Sequence, residues 1–223
     1  MRNLKKYSNH SGYSADERAL GYNVSICKNE SHTHYDKPYD SKIAYIETDG
    51  TQWINTGISF KDVKTFSMSI TITPTRLYNY NHIFCVGGTN QEAWITTQGW
   101  IYYRWNGILS SSLKTLLQDD NINVRMEFDG INHTCDYYVD GSITLSQSNN
   151  AFVPLTITDS LFLLKRDTFS ELKLYDFKLI QDGNLVLDLI PVRVGQVGYI
   201  YDRVSKRLFG NAGTGEFVLG PDV

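Results

Sequence analysis

Cysteine, proline and clustered positive charge are what this chain has least of. Its 223 residues include three cysteines, Cys27, Cys85 and Cys135. An odd, scattered trio gives neither the even count of a disulfide framework nor the paired spacing of a zinc site. Cys85 sits in the apolar run Ile83-Phe84-Cys85-Val86, where a thiol packs as a small hydrophobe, and the set fits assembly in a reducing cytoplasm. There are five prolines and no low-complexity tract. The formal net charge is -3, and the densest basic stretch is Lys165-Arg166, with Arg203, Lys206 and Arg207 further on. Nucleic acid and anionic membranes call for a concentrated basic surface, so neither is an expected partner. No window approaches the roughly 18 apolar residues of a membrane span. The opening Met1-Arg2-Asn3-Leu4-Lys5-Lys6 runs into polar sequence, unlike a secretion signal.

Catalytic and metal-binding patterns are equally thin. Gly87-Gly88 lacks the Lys-Ser/Thr that completes a phosphate loop, and no order of Ser, His and Asp or of Cys and His marks a nucleophile. Asp119-Asp120-Asn121 brings two carboxylates where calcium takes roughly six to eight oxygens; it reads as an exposed turn. His32 and His34 alternate on an extended stretch without a third ligand, which fits hydrogen bonding in an assembly contact. No cofactor and no metal are expected.

What the chain does have is aromatic and alternating. It holds 15 Tyr, 10 Phe and 4 Trp, residues that favour strands. Phe66-Ser67-Met68-Ser69-Ile70-Thr71-Ile72 has period 2, which places Phe66, Met68, Ile70 and Ile72 on one buried face. Asp129-Gly130, Asp140-Gly141 and Asp182-Gly183 each separate two apolar runs. Such pairs supply the positive φ angles of a type I′ hairpin turn. Three hairpins, no convincing long helix and a dozen or so short strands predict an all-β fold, an antiparallel two-sheet sandwich spanning residues 43–223. Residues 1–42 lack apolar periodicity, apart from Val24-Ser25-Ile26, and read as an extended N-terminal arm. Fully extended, it reaches on the order of 140 Å. A segment that cannot bury apolar surface alone is expected to order against a partner.

The last fifty residues contain Lys173-Leu174-Tyr175-Asp176-Phe177-Lys178-Leu179, Asp188-Leu189-Ile190-Pro191-Val192-Arg193, Gly198-Tyr199-Ile200-Tyr201-Asp202-Arg203-Val204-Ser205 and Leu208-Phe209-Gly210-Asn211-Ala212-Gly213-Thr214-Gly215-Glu216-Phe217. This set closely resembles the closing segment of laminin-G/concanavalin A-like domains in virion structural proteins of gut tailed bacteriophages and prophages. Tyr45-Ile46-Glu47-Thr48-Asp49-Gly50-Thr51-Gln52-Trp53-Ile54-Asn55-Thr56-Gly57 is similar to that family's first hairpin. The middle, about residues 75–165, matches only in strand pattern. Tyr7-Ser8-Asn9-His10, Tyr13-Ser14-Ala15-Asp16-Glu17-Arg18, Asn23-Val24-Ser25-Ile26-Cys27 and His34-Tyr35-Asp36 resemble N-terminal segments of such particle proteins. The resemblance implies a concanavalin A-like jelly roll displayed on a virion surface, made in the host bacterial cytoplasm. It implies a capsid-decorating head fibre whose arm attaches to capsid or other particle proteins through residues such as Tyr7, His10, Tyr13, Tyr22, His34 and Tyr35. It also implies a homo-oligomer, a trimer before a dimer, and adhesion of the outer domain to host or mucus glycans. A tail-tip receptor-binding protein and a glycan depolymerase are the rival readings.

Within the sandwich, Trp94, Trp100, Tyr102, Tyr103 and Trp105 are the candidate ligand-binding residues. Trp100, Tyr102 and Arg104 share one strand face, and Ile101, Tyr103 and Trp105 the other. One face fills the core, and the other presents rings to sugars or to a partner. Glu127-Phe128-Asp129 falls short of the E-x-D-x-E strand of retaining β-glucanases, because the third position is Ile131. Double displacement needs two carboxyls about 5–5.5 Å apart, so no catalytic residue is expected. The turn residues Asp202 and Asn211 to Gly215 are read as fold-making.

Overall fold

The computed structural model describes residues 37–87, 91–165 and 170–223. The candidate attachment residues Tyr7, His10, Tyr13, Tyr22, His34 and Tyr35 lie outside them. In chain order the strands are β1 (Ser41–Lys42), β2 (Ile46–Glu47), β3 (Ile54–Asn55), β4 (Phe60–Val63), β5 (Thr65–Pro74), β6 (Asn81–Val86), β7 (Glu92–Ile95), β8 (Trp100–Trp105), β9 (Ile108–Thr115) and β10 (Ile122–Asp129). They continue with β11 (Thr134–Val139), β12 (Ser142–Ser148), β13 (Leu155–Ile157), β14 (Leu161–Leu163), β15 (Leu172–Gln181), β16 (Asn184–Val194), β17 (Val197–Asp202), β18 (Leu208–Phe209) and β19 (Val218–Leu219). No helix occurs among the described residues.

Two antiparallel sheets carry the architecture, and β4 pairs with β13 in a third, two-stranded one. The larger runs β12-β11-β10-β5-β15-β16-β17-β18, with β1, β2 and β19 added at its flank; the smaller runs β3-β14-β6-β7-β8-β9. The alternation in β5 works as its sequence dictates. Phe66, Met68, Ile70 and Ile72 are buried, while Ser67, Ser69 and Thr71 between them reach the surface of the opposite face. The buried set meets the inner face of the smaller sheet. The Phe66 ring lies 4.8 Å from Trp105, and Tyr103 lies 4.2 Å from Tyr137. Burial of rings of this size supplies on the order of 25 cal/mol per Å² of apolar surface, the main term opposing chain entropy.

Two of the three Asp-Gly turns have the expected geometry. Asp140 and Gly141 have φ of 50° and 75°, and Asp182 and Gly183 have φ of 47° and 79°. The third differs. Between β10 and β11 the left-handed residue is His133, with φ of 59°, and Asp129 instead accepts the amides of Ile131 and Asn132 at 2.8 and 2.9 Å. The turn is therefore wider than type I′. Gly130 is needed there for a different reason: a Cβ would stand 2.7 Å from the backbone of Val153 and Pro154.

Residues 45–57 do not form a hairpin. β2 joins β15 and β19 in the larger sheet, and β3 joins β14 in the smaller, so the segment crosses between layers. The partner it satisfies is the closing turn. Trp53 N–H donates to Asn211 Oδ1 at 3.2 Å, Ala212 N–H to Trp53 O at 2.9 Å, Thr214 N–H to Thr51 O at 3.1 Å, and Gln52 Nε2 to Glu216 O at 3.0 Å. Opening and closing motifs are thus two halves of one contact, and both are fold-making.

The sandwich also begins earlier than Ile43. Ser41 and Lys42 pair with Arg193 and Val192 of β16, the Tyr39 ring packs 5.0 Å from Tyr201, and Asp40 accepts the Gly195 amide at 2.6 Å. Lys37–Val223 forms one compact unit.

Candidate functional site

Four of the five sequence-predicted aromatics lie on β8 and separate by parity along it; the fifth, Trp94, lies on β7. Ile101, Tyr103 and Trp105 are fully buried in the interlayer core. Tyr103 and Trp105 therefore leave the candidate set: rings with no exposed surface cannot stack on a ligand. Burial also pushes the Tyr103 phenol pKa upward. Trp100, Tyr102 and Arg104 lie on the face turned away from the core, and Trp94 of β7 joins them because it is the direct cross-strand partner of Tyr102.

These side chains form a stack. The Trp94 and Tyr102 rings are 5.5 Å apart at 13°, and Tyr102 and Trp100 are 6.5 Å apart at 21°. Tyr80 continues it beyond Trp94 at 6.0 Å and lies parallel to His82 at 6.2 Å. Interior members of such a stack cover one another, so exposure concentrates at its ends: Trp94 is 5% exposed, Trp100 44% and Tyr80 53%. Gly99, with φ of 75°, sets up Trp100; a Cβ there would stand 1.9 Å from Leu116 O.

A charged cluster lies beside the stack. Arg104 Nη1 is 3.2 Å from Glu92 Oε1, and His82 Nε2 is 3.2 Å from Glu92 Oε2. The Arg104 guanidinium sits 5.4 Å over the Trp94 ring, a cation–π contact. Glu92 and His82 are buried although they face away from the core. A buried carboxylate needs such partners to remain tolerable. The sequence places Arg104 on the ring face but gives no hint of His82 or Glu92. They come from β6 and β7 and meet Arg104 only through cross-strand register, which no short motif records.

The carboxylates of β10 each have partners of their own. Asp129 is committed to its turn, and its pKa is lowered first by the Asn132 amide. Glu127 is on the solvent face, 3.1 Å from Arg125 Nη1, and accepts the Tyr138 hydroxyl at 3.1 Å. Register puts Asp136 directly opposite Glu127, a neighbour the sequence did not disclose, and Asp136 accepts the Ser146 hydroxyl. Among the described residues no group of three or more His, Cys, Asp or Glu could hold a metal ion.

No family model and no curated protein matches this sequence. Solved structures do match in shape. A candidate carbohydrate-binding protein from Bacteroides ovatus is 13% identical with a TM-score of 0.60, over 81% of this chain and 60% of that one. The chain thus spans less than two thirds of that neighbour's length. The SAP-like pentraxin of Limulus polyphemus is 14% identical with a TM-score of 0.49, over 63% of this chain and 76% of its own. The IT-sialidase CBM40 of Ruminococcus gnavus is 15% identical with a TM-score of 0.46, over 61% of this chain and 92% of its own. At such identities the likeness that carries weight, that of the Bacteroides protein, is one of fold: an all-β sandwich of two antiparallel sheets.

Proposed function

We propose that this chain is a structural protein of a tailed-bacteriophage particle, a capsid-decorating head fibre whose sandwich adheres to glycans. The single observation that carries the glycan reading is Trp100. It is a large ring, 44% exposed at the end of an ordered stack, and its turn is built around Gly99. Pre-positioned rings bind sugars through their apolar C–H faces at low entropic cost, which makes weak, multivalent adhesion a natural use. The Bacteroides neighbour's description as a candidate carbohydrate-binding protein makes glycans the first ligands to try. The particle assignment rests on the sequence resemblance, with residues 1–36 as the attachment segment and a trimer as the expected assembly.

Two measurements test the two halves. On an array of host-surface and mucin oligosaccharides, the wild-type chain should bind and Trp100→Ala should lose about tenfold in affinity, the equivalent of one stacked ring. Equal binding by both would remove Trp100 from the site. Immunogold labelling of intact particles should decorate heads. Label confined to tail tips would move the protein to receptor binding there.

A further inference from the structure

The larger sheet holds a feature that the aromatic stack does not explain. β17 pairs with β16 along its whole length, Val197 to Asp202, but on its other edge β18 covers only Ile200 and Tyr201. The chain then swings away through residues 210–217. A cleft of about 330 Å³ is left beside Val197–Tyr199, bordered by Gly210, Asn211 and Glu216.

Backbone parity says what the open edge presents. Asp202 N–H donates to Arg207 O at 2.9 Å, on the β18 side. Alternation along the strand turns the amide and carbonyl of Ile200 and Gly198 the same way. Ile200 faces Phe209 of β18. Gly198 borders the cleft but is itself buried, with the Leu219 and Phe217 side chains packed against it, and β18 does not extend far enough to pair with it. Beside it stand the Tyr199 ring, partly exposed, and Glu216, exposed. Asn211 is already committed, because its side chain accepts from Trp53 and Gly213 and donates to Thr214 and Gly215. Gly210 keeps the ring uncovered. A Cβ there would meet only the Tyr199 ring, at 3.5 Å.

We infer that this cleft is a second saccharide site, on the opposite sheet from Trp100, and that it takes a short neutral glycan of about two rings. A strand-like peptide is disfavoured by length. The free edge is three residues, about 10 Å at roughly 3.3 Å per residue, and β18 stops it at one end, so a longer strand has no path through. A disaccharide matches that span. Its apolar ring face meets Tyr199, and a vicinal hydroxyl pair meets the Glu216 carboxylate at the cleft's border. The inference rests on the glycan-binding reading but not on the site assigned to it.

The test is an amide-resolved NMR titration of the full chain with cellobiose, maltose and N-acetyllactosamine, each to millimolar concentration. At least one sugar should shift the resonances of Gly198, Tyr199 and Glu216. Those shifts should survive Trp100→Ala, weaken about tenfold in Tyr199→Ala, as expected for a lost stacked ring, and vanish in Gly210→Val. That last variant fills the cleft without touching the core, so it separates loss of binding from loss of folding. Shifts confined to the Trp100 stack would overturn the second site and leave the first. Shifts confined to residues 197–217 would support the cleft and overturn the first. No shift anywhere, with these sugars and on the array alike, would overturn both.

Discussion

The Asp202 carboxylate is withdrawn from water yet accepts three amides, from Asp188 at 3.0 Å, Val204 at 3.1 Å and Ser205 at 2.9 Å. Burial alone raises its pKa, but the Ser205 hydroxyl and these amides outweigh it, and the net shift is downward. A lowered folded pKa means the unfolded chain takes up the proton first. The stability it contributes is complete above the unfolded value of about 4 and is lost as pH falls through the lower folded value. Asp202→Asn should cost roughly 2–3 kcal/mol at neutral pH, the scale of charged hydrogen bonds lost in a buried site. It should also flatten the acid limb of a urea-melt series; wild-type and variant curves falling in parallel below pH 4 would refute the assignment. The two halves of β8 give a second contrast. Trp105→Ala should cost about 3–5 kcal/mol, as for a core tryptophan, whereas Trp100→Ala should leave the thermal midpoint nearly unchanged. Similar losses from both would mean that the exposed ring is structural.

At the scale of elements, the clearest test concerns where the sandwich starts. Removing residues 1–36 should leave the melting temperature of the described unit intact. Removing residues 1–42 should lower it, because β1, the Tyr39–Tyr201 contact and the Asp40–Gly195 hydrogen bond go together. Circular dichroism melts of the two truncations decide; identical midpoints would return residues 37–42 to the arm. Sequence could place this boundary only approximately, since two-residue strands carry no periodicity to read. Elements with local causes were legible: the alternation of β5, and the Asp140-Gly141 and Asp182-Gly183 hairpins, whose φ values depend on the two residues themselves. Elements with distant causes were not. The segment at 45–57 looked like a hairpin because its partner, Asn211 to Glu216, lies more than 150 residues further on. By contrast, the Asp129-Gly130 turn is wider because the Asp129 carboxylate accepts the Ile131 and Asn132 amides and His133 takes the left-handed conformation. The same division holds at the site: strand parity sorted Trp100 and Tyr102 from Tyr103 and Trp105 without saying which pair was buried, while the Glu92 cluster and the Gly198 edge needed the sheet register.

For the whole molecule, the proposed adhesive role asks for several weak sites on one particle rather than one strong one. Two saccharide sites per sandwich, multiplied by copies per fibre, raise avidity without new contacts, provided that their spacing matches the glycan surface. Glu127→Gln should leave any carbohydrate-directed behaviour unchanged; an activity abolished by that substitution, read as released reducing ends, would favour the depolymerase reading. The Arg193 guanidinium holds the last strand region through two 2.7 Å hydrogen bonds to Asp222, and Val223 N–H donates to Lys42 O at 3.1 Å. Entry and exit of the sandwich therefore sit side by side. A unit with adjacent ends can be spliced into a surface loop of another protein with little loop-closure cost, and it can be re-cut elsewhere. A circular permutant that joins Val223 to Lys37 by a short glycine linker and opens between Asp140 and Gly141 should fold with the same sheets.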